Sequence, residues 1–92
     1  MISPAQPLTA SSAVSFTDLD DEAVLLNVDT GLYYGLDPVA ADLWRLLLTG
    51  ASQYELCQAL VDKYDVESER AALDVAQFVD QLLAEELVRP RQ

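Results

Sequence analysis

The sequence predicts an α+β domain: three strands of an antiparallel sheet, then three helices. Three observations carry this. Strand-like alternation and aliphatic runs reach as far as Leu36, the apolar period becomes 3.6 from Asp37-Pro38, and the loops between these segments are short. One domain is the limit, because 92 residues cannot supply a second core. Hydrophobic residues make up 51% of the chain and Gly plus Pro only seven positions, so apolar surface suffices to offset the entropy of ordering.

The first dozen residues are small, polar or proline, which predicts a disordered tail over 1–12 and a folded domain over 13–90. Val14 and Phe16 alternate with Ser15 and Thr17 as a first strand. After the acidic turn from Asp18 to Asp21, the aliphatic run Glu22 to Val28 predicts a second. Asp29-Thr30-Gly31 suits a hairpin loop whose last residue takes positive φ, so Leu32-Tyr33-Tyr34-Gly35-Leu36 pairs antiparallel with the second strand.

Asp37 is a good N-cap and Pro38 a good first helical residue, so the first helix begins there and ends at Gly50. Its inward face is predicted to carry Val39, Leu43, Leu46 and Leu47, flanked by Ala40 and Trp44. Ser52-x-x-Glu55 has capping-box spacing and opens the second helix, with Leu56, Ala59 and Leu60 inward. The third helix is predicted to start at a cap on Asp65 or Ser68 and to run to about Glu86, burying Ala72, Val75, Ala76, Val79, Leu82 and Leu83. Leu87 to Pro90 closes the chain as an extended segment. The whole plan is similar to a winged helix-turn-helix domain with its hairpin moved to the front.

Composition excludes several functions. There is no His and one Cys, so structural zinc, a Ser-His-Asp triad and an intramolecular disulfide all lack their residues. Neither a metal nor a cofactor site is expected, and the chain is not expected to be an enzyme. Cys57 lies between Leu56 and Ala59 with no cation nearby, as a small buried hydrophobe would. Sixteen acidic against five basic residues give a net charge of −11, which repels nucleic acid and anionic membranes. No apolar run approaches the roughly 20 residues that span a bilayer, and the N-terminal stretch lacks the basic and apolar regions of a signal peptide, so a cytoplasmic location is expected. A winged-helix transcription factor would need a basic recognition helix, whereas the third helix offers Arg70 among Glu67, Glu69, Asp74, Asp80, Glu85 and Glu86.

Two features could instead bind a peptide. Leu32 to Leu36 ends the predicted sheet, and an uncovered strand edge accepts another strand. On the third helix Ala71, Asp74, Phe78, Gln81 and Glu85 form a stripe beside the core face, so an apolar groove with acidic borders can lie between strand and helix. The plainer alternative is that one Tyr of Tyr33-Tyr34 and Phe78 simply pack in the core.

The order and spacing of Asp29-Thr30-Gly31, Leu32-Tyr33-Tyr34-Gly35-Leu36-Asp37-Pro38, Leu43-Trp44 and Asp74-Val75-x-x-Phe78-Val79-x-x-Leu82 resemble the PqqD-like RiPP recognition elements, over roughly Ser12 to Pro90. These small domains bind leader peptides of ribosomally made, post-translationally modified peptides. As a stand-alone chain it is most similar to the discrete recognition protein of lasso-peptide pathways. The resemblance implies a non-catalytic adaptor to which the leader adds as a strand, with Leu32, Tyr33, Tyr34 and Gly35 on the sheet side and Ala71, Asp74, Phe78 and Gln81 on the helix side. It further implies a Tyr-x-x-Pro type of leader and a cysteine-protease-like leader peptidase as partners. A peptide chaperone for a radical-SAM or other modifying enzyme, and a self-pairing structural subunit, are the alternatives.

Overall fold

The computed structural model describes residues 6–19 and 22–90. The elements in chain order are β1 (Leu8–Ala10), β2 (Val14–Leu19), β3 (Glu22–Asn27), β4 (Leu32–Leu36), α1 (Pro38–Leu48), α2 (Gln53–Tyr64), α3 (Ser68–Ala84) and β5 (Val88–Pro90). β2, β3 and β4 form an antiparallel sheet in that order, and the helices pack on one of its faces. This is the predicted α+β, winged-helix-like plan.

Local chemistry sets the element ends. Buried Asn27 closes the β3–β4 hairpin, its Oδ1 accepting from the amides of Asp29 (3.0 Å) and Thr30 (3.3 Å), while Gly31 supplies the left-handed residue at φ +75°. The Asp37 carboxylate accepts from the Ala40 amide at 2.8 Å, with Pro38 opening α1. Both arms of the Ser52/Glu55 capping box are formed at the start of α2. The start of α3 departs from expectation: Glu67 is the N-cap and makes no side-chain cap bond, while Asp65, in the left-handed region at φ 52°, ends α2 instead. α3 stops at Ala84, where Glu86 turns left-handed at φ 59° and redirects the chain.

The expected tail is corrected in part. Leu8–Ala10 pairs antiparallel with Val88–Pro90, Leu8 is fully buried, and Pro7 bridges Ser52. The folded domain therefore begins before Ala13, because β5 offers an edge and the core a slot for Leu8. Met1 to Ala5 lie outside the described residues, as do Asp20 and Asp21 of the expected acidic turn. Asp18 and Leu19 of that turn extend β2.

The core joins Leu25 and Leu36 of the sheet to Trp44, Leu47, Leu56, Val75, Val79 and Leu87. Two helix faces are rotated from expectation. On α1, Ala41 is buried and Leu46 is exposed; on α3, Ala71 is buried and Ala72 is exposed. In each helix the large buried anchors, Trp44 and the Val75/Val79 pair, go with a rotation that also buries a small alanine, Ala41 or Ala71.

One polar network ties three elements together outside the core. Asp42 on α1 accepts from Arg45 (2.9 Å), from Lys63 (2.7 Å) and from the Tyr64 hydroxyl, and Arg45 reaches on to Asp18 of β2 at 2.6 Å. These contacts hold the Asp42 carboxyl below the usual carboxylate range, the Lys63 bond contributing most and the Tyr64 bond next.

Candidate functional site: the β4 edge and the groove against α3

β4 is the outer strand of its sheet, so one side of its backbone is unpaired within that sheet. Which amides lie on that side follows from the ladder. The Val28 amide donates to the Ala13 carbonyl, and the Asn27 carbonyl accepts from Gly31 across the hairpin. Alternation then turns Asn27, Leu25 and Ala23 towards β4, and their partners Leu32, Tyr34 and Leu36 towards β3. Tyr33 and Gly35 consequently direct their N–H and C=O groups to the free edge.

The side chains alternate as well. Tyr34 and Leu36 share a face with buried Ala23 and Leu25 and point towards the helices, whereas Tyr33 lies on the outer face and is 71% exposed. Between β4 and α3 lies a cavity of about 290 Å³. Tyr34, Gly35 and Leu36 line one side and Phe78, Gln81, Leu82 and Glu85 the other, with Leu25 and Leu87 beneath. A second cavity of about 340 Å³, lined by Val39, Leu43, Leu60, Val66 and Asp74 among others, shares Asp37, Ala40 and Phe78 with the first. Phe78 therefore stands where the two meet.

The lining is apolar with an acidic border: its charged residues are Asp37, Asp74 and Glu85. Asp74 is paired with Arg70 one turn back at 3.2 Å. The Tyr34 hydroxyl donates to Glu85 Oε2 at 2.9 Å, which links β4 to the end of α3 and raises the phenol pKa above its ordinary value. Cys57, half-buried on α2, lines neither cavity, and burial pushes its thiol up, away from the reactive thiolate.

Of the residues singled out from sequence, Tyr34, Gly35, Phe78 and Gln81 meet around the first cavity and Asp74 borders the second. Leu32 and Tyr33 lie on β4 itself, half or more exposed, beside neither cavity. Ala71 is a correction: it has no exposed surface, because its position on α3 turns into the core with Val75 rather than along the stripe of Asp74 and Phe78. Sequence reasoning counted Leu36 only as part of the strand edge and left out Leu25, Asp37, Ala40, Leu82 and Leu87, whose strand, helix-start and core patterns gave no sign of a groove. Glu85 was legible as part of the helical stripe, but its reach to Tyr34 depends on how α3 sits against the sheet.

Residues 22–88 match the family described as Coenzyme PQQ synthesis protein D (PqqD). The chain belongs to the PqqD family. Two solved structures resemble this PqqD-like chain over nearly their whole length. "TbiB1 in Complex with the TbiA(beta) Leader Peptide" is 34% identical with a TM-score of 0.84, over 91% of this chain and 98% of that one. "Lasso peptide synthetase B1 complexed with the leader peptide" is 30% identical with a TM-score of 0.81, over 90% and 98%. A search of curated protein sequences finds no match. The PqqD match starts at β3, so β1 and β2 of this chain precede it, while β4, α3 and both cavities fall inside it.

Proposed function

We propose that this PqqD-family chain is a non-catalytic adaptor of lasso-peptide maturation, which binds the leader of a ribosomally made precursor and presents it to a cysteine-protease-like leader peptidase. The observation that carries this reading is the free edge of β4 lying beside an apolar groove against α3. A leader strand antiparallel to β4 would hydrogen-bond with the outward amides and carbonyls of Tyr33 and Gly35. Alternate leader side chains would enter the groove among Tyr34, Leu36 and Phe78, where the aromatic ring of a Tyr-x-x-Pro leader fits an apolar pocket. Leu32, Asp74 and Gln81 would flank the peptide.

The two solved relatives support the reading, since each is named as a complex with a leader peptide. No helix among the described residues is long and apolar enough to cross a membrane. The groove's lining is mostly apolar side chains with Asp37 and Glu85 at its border, a surface suited to holding a peptide.

Fluorescence anisotropy of a labelled Tyr-x-x-Pro leader, titrated with this chain beside the same leader carrying Ala for Tyr, tests the proposal. Saturable binding that the Ala leader loses supports it. Failure to bind the leader of the precursor encoded beside this chain removes it, and a mass that rises with concentration in the absence of peptide would favour strand pairing between two copies. Retention of the leader complex by the purified peptidase, against none by a modifying enzyme, separates peptidase presentation from a chaperone role.

A further inference from the structure

Gly35 sits inside β4, where glycine weakens a strand through its backbone entropy and its missing side chain. Two ordinary reasons for such a glycine are ruled out. Its backbone is not left-handed, unlike that of Gly31 and Gly50. A Cβ built on it would meet nothing within 4 Å, so no packing inside the chain requires its absence either. A physical reason that stays open is close approach by something from outside.

The register shows where that approach comes from. Gly35 pairs with Val24 and Tyr33 with Leu26, and all four positions belong to the outer face of the sheet. Gly35 therefore leaves a notch on that face, with half-buried Val24 on the β3 side and the exposed Tyr33 two residues away along the strand. The Gly35 amide and carbonyl lie on the free edge, so a strand added there places one residue opposite Gly35. That residue's side chain stands on the outer face, while its two neighbours point into the groove.

We propose that Gly35 is a specificity-determining position: its notch receives a large, flat apolar side chain, the leader residue opposite it, laid across the glycine towards Val24. The inference rests on the leader-binding reading and adds a subsite on the face opposite the groove. Cross-strand partners on one face stand close enough for a ring to cover a glycine, and the surroundings, Tyr33, Val24 and Leu26, are apolar or aromatic. Groove and notch together read an in–out–in pattern of three successive leader residues.

The test is a Gly35→Val variant with Gly35→Ala beside it, titrated by anisotropy with the leader encoded next to this chain and with the TbiA(beta) leader. Val suits a strand and has open space here, so the variant is expected to melt at or above the wild-type temperature. It should nevertheless bind the leader about tenfold more weakly, with Gly35→Ala between the two. A glycine scan along the leader should then find one position at which binding to Gly35→Val is recovered. Unchanged affinity in the folded Val variant overturns the inference, as does a loss that no single leader substitution recovers. Self-association of Gly35→Val without peptide would also overturn it, by making the glycine a guard of the strand edge. If the wild-type chain binds neither leader, the adaptor reading falls and the subsite with it; wild-type binding with an indifferent Gly35→Val removes the subsite alone.

Discussion

Phe78 is the residue on which the groove turns, since it borders both cavities and remains partly exposed although it packs against the core. Removing its ring takes away the aromatic surface that the two cavities share. Phe78→Ala is expected to weaken leader binding by about 1–3 kcal/mol, and Tyr34→Ala by a similar amount. Titration of each variant after its fold is checked by circular dichroism measures this, and a folded variant with wild-type affinity removes that residue from the site. Asp42 lines neither cavity, and its bonds to Arg45, Lys63 and Tyr64 bear on stability. Its pKa is depressed in the folded chain, so the Asp42 network stabilises above the unfolded value of 3.8 and is lost as pH falls through the lower, folded one. Asp42→Asn should therefore be less stable than wild type near neutral pH, and the gap should close in acid. Urea unfolding across that range checks the sign, and a gap that persists in acid would assign the effect to something other than the carboxylate.

At the scale of elements, β4 has two unlike backbone sides. The Tyr33 amide takes no part in the ladder with β3, so Tyr33→Pro should spare the sheet yet abolish leader addition by removing a donor and placing a ring on the edge. Retained binding in a folded variant would mean that the leader docks elsewhere. The β1–β5 pair has a different task. The Ser11 amide donates to the Leu87 carbonyl at 2.9 Å, and Leu87 lies beneath the groove, so the N-terminal strand holds the chain that leaves α3. Leu8→Ala empties a fully buried site and is expected to cost about 2–5 kcal/mol in chemical denaturation. A cost near zero would return Leu8–Ala10 to the status of a tail.

The whole molecule carries a net charge of −11, and the charged residues bordering the groove are acidic. That field attracts a leader rich in Lys or Arg and is screened beyond roughly 8–10 Å at physiological ionic strength. Association of a basic leader, followed by stopped-flow fluorescence, should slow as salt is added while dissociation changes little. A salt-independent association rate would show that only the apolar contacts matter. The same charge opposes the approach of a polyanion such as nucleic acid.

Each scale differs in how much the sequence could reveal. Periodicity and capping are local properties, so the order of β2, β3, β4 and the three helices, the Asp37-Pro38 helix start, the Ser52/Glu55 box and the Gly31 turn were all legible in the residues themselves. The stripe of Asp74, Phe78, Gln81 and Glu85 was legible too, because helical spacing is fixed; Ala71 was misplaced because the width of a buried face depends on what packs against it. The pairing of Leu8–Ala10 with Val88–Pro90 was hidden, since a three-residue strand has no period to detect and its partner lies at the far end of the chain. Tertiary structure alone decided that α3 lies beside the free edge of β4, that Tyr34 reaches Glu85 across 51 positions of sequence, and that Gly35 faces open space. A groove is a property of the distance between elements, and that distance depends on how a core that includes Trp44, Val75, Val79 and Leu87 packs in three dimensions.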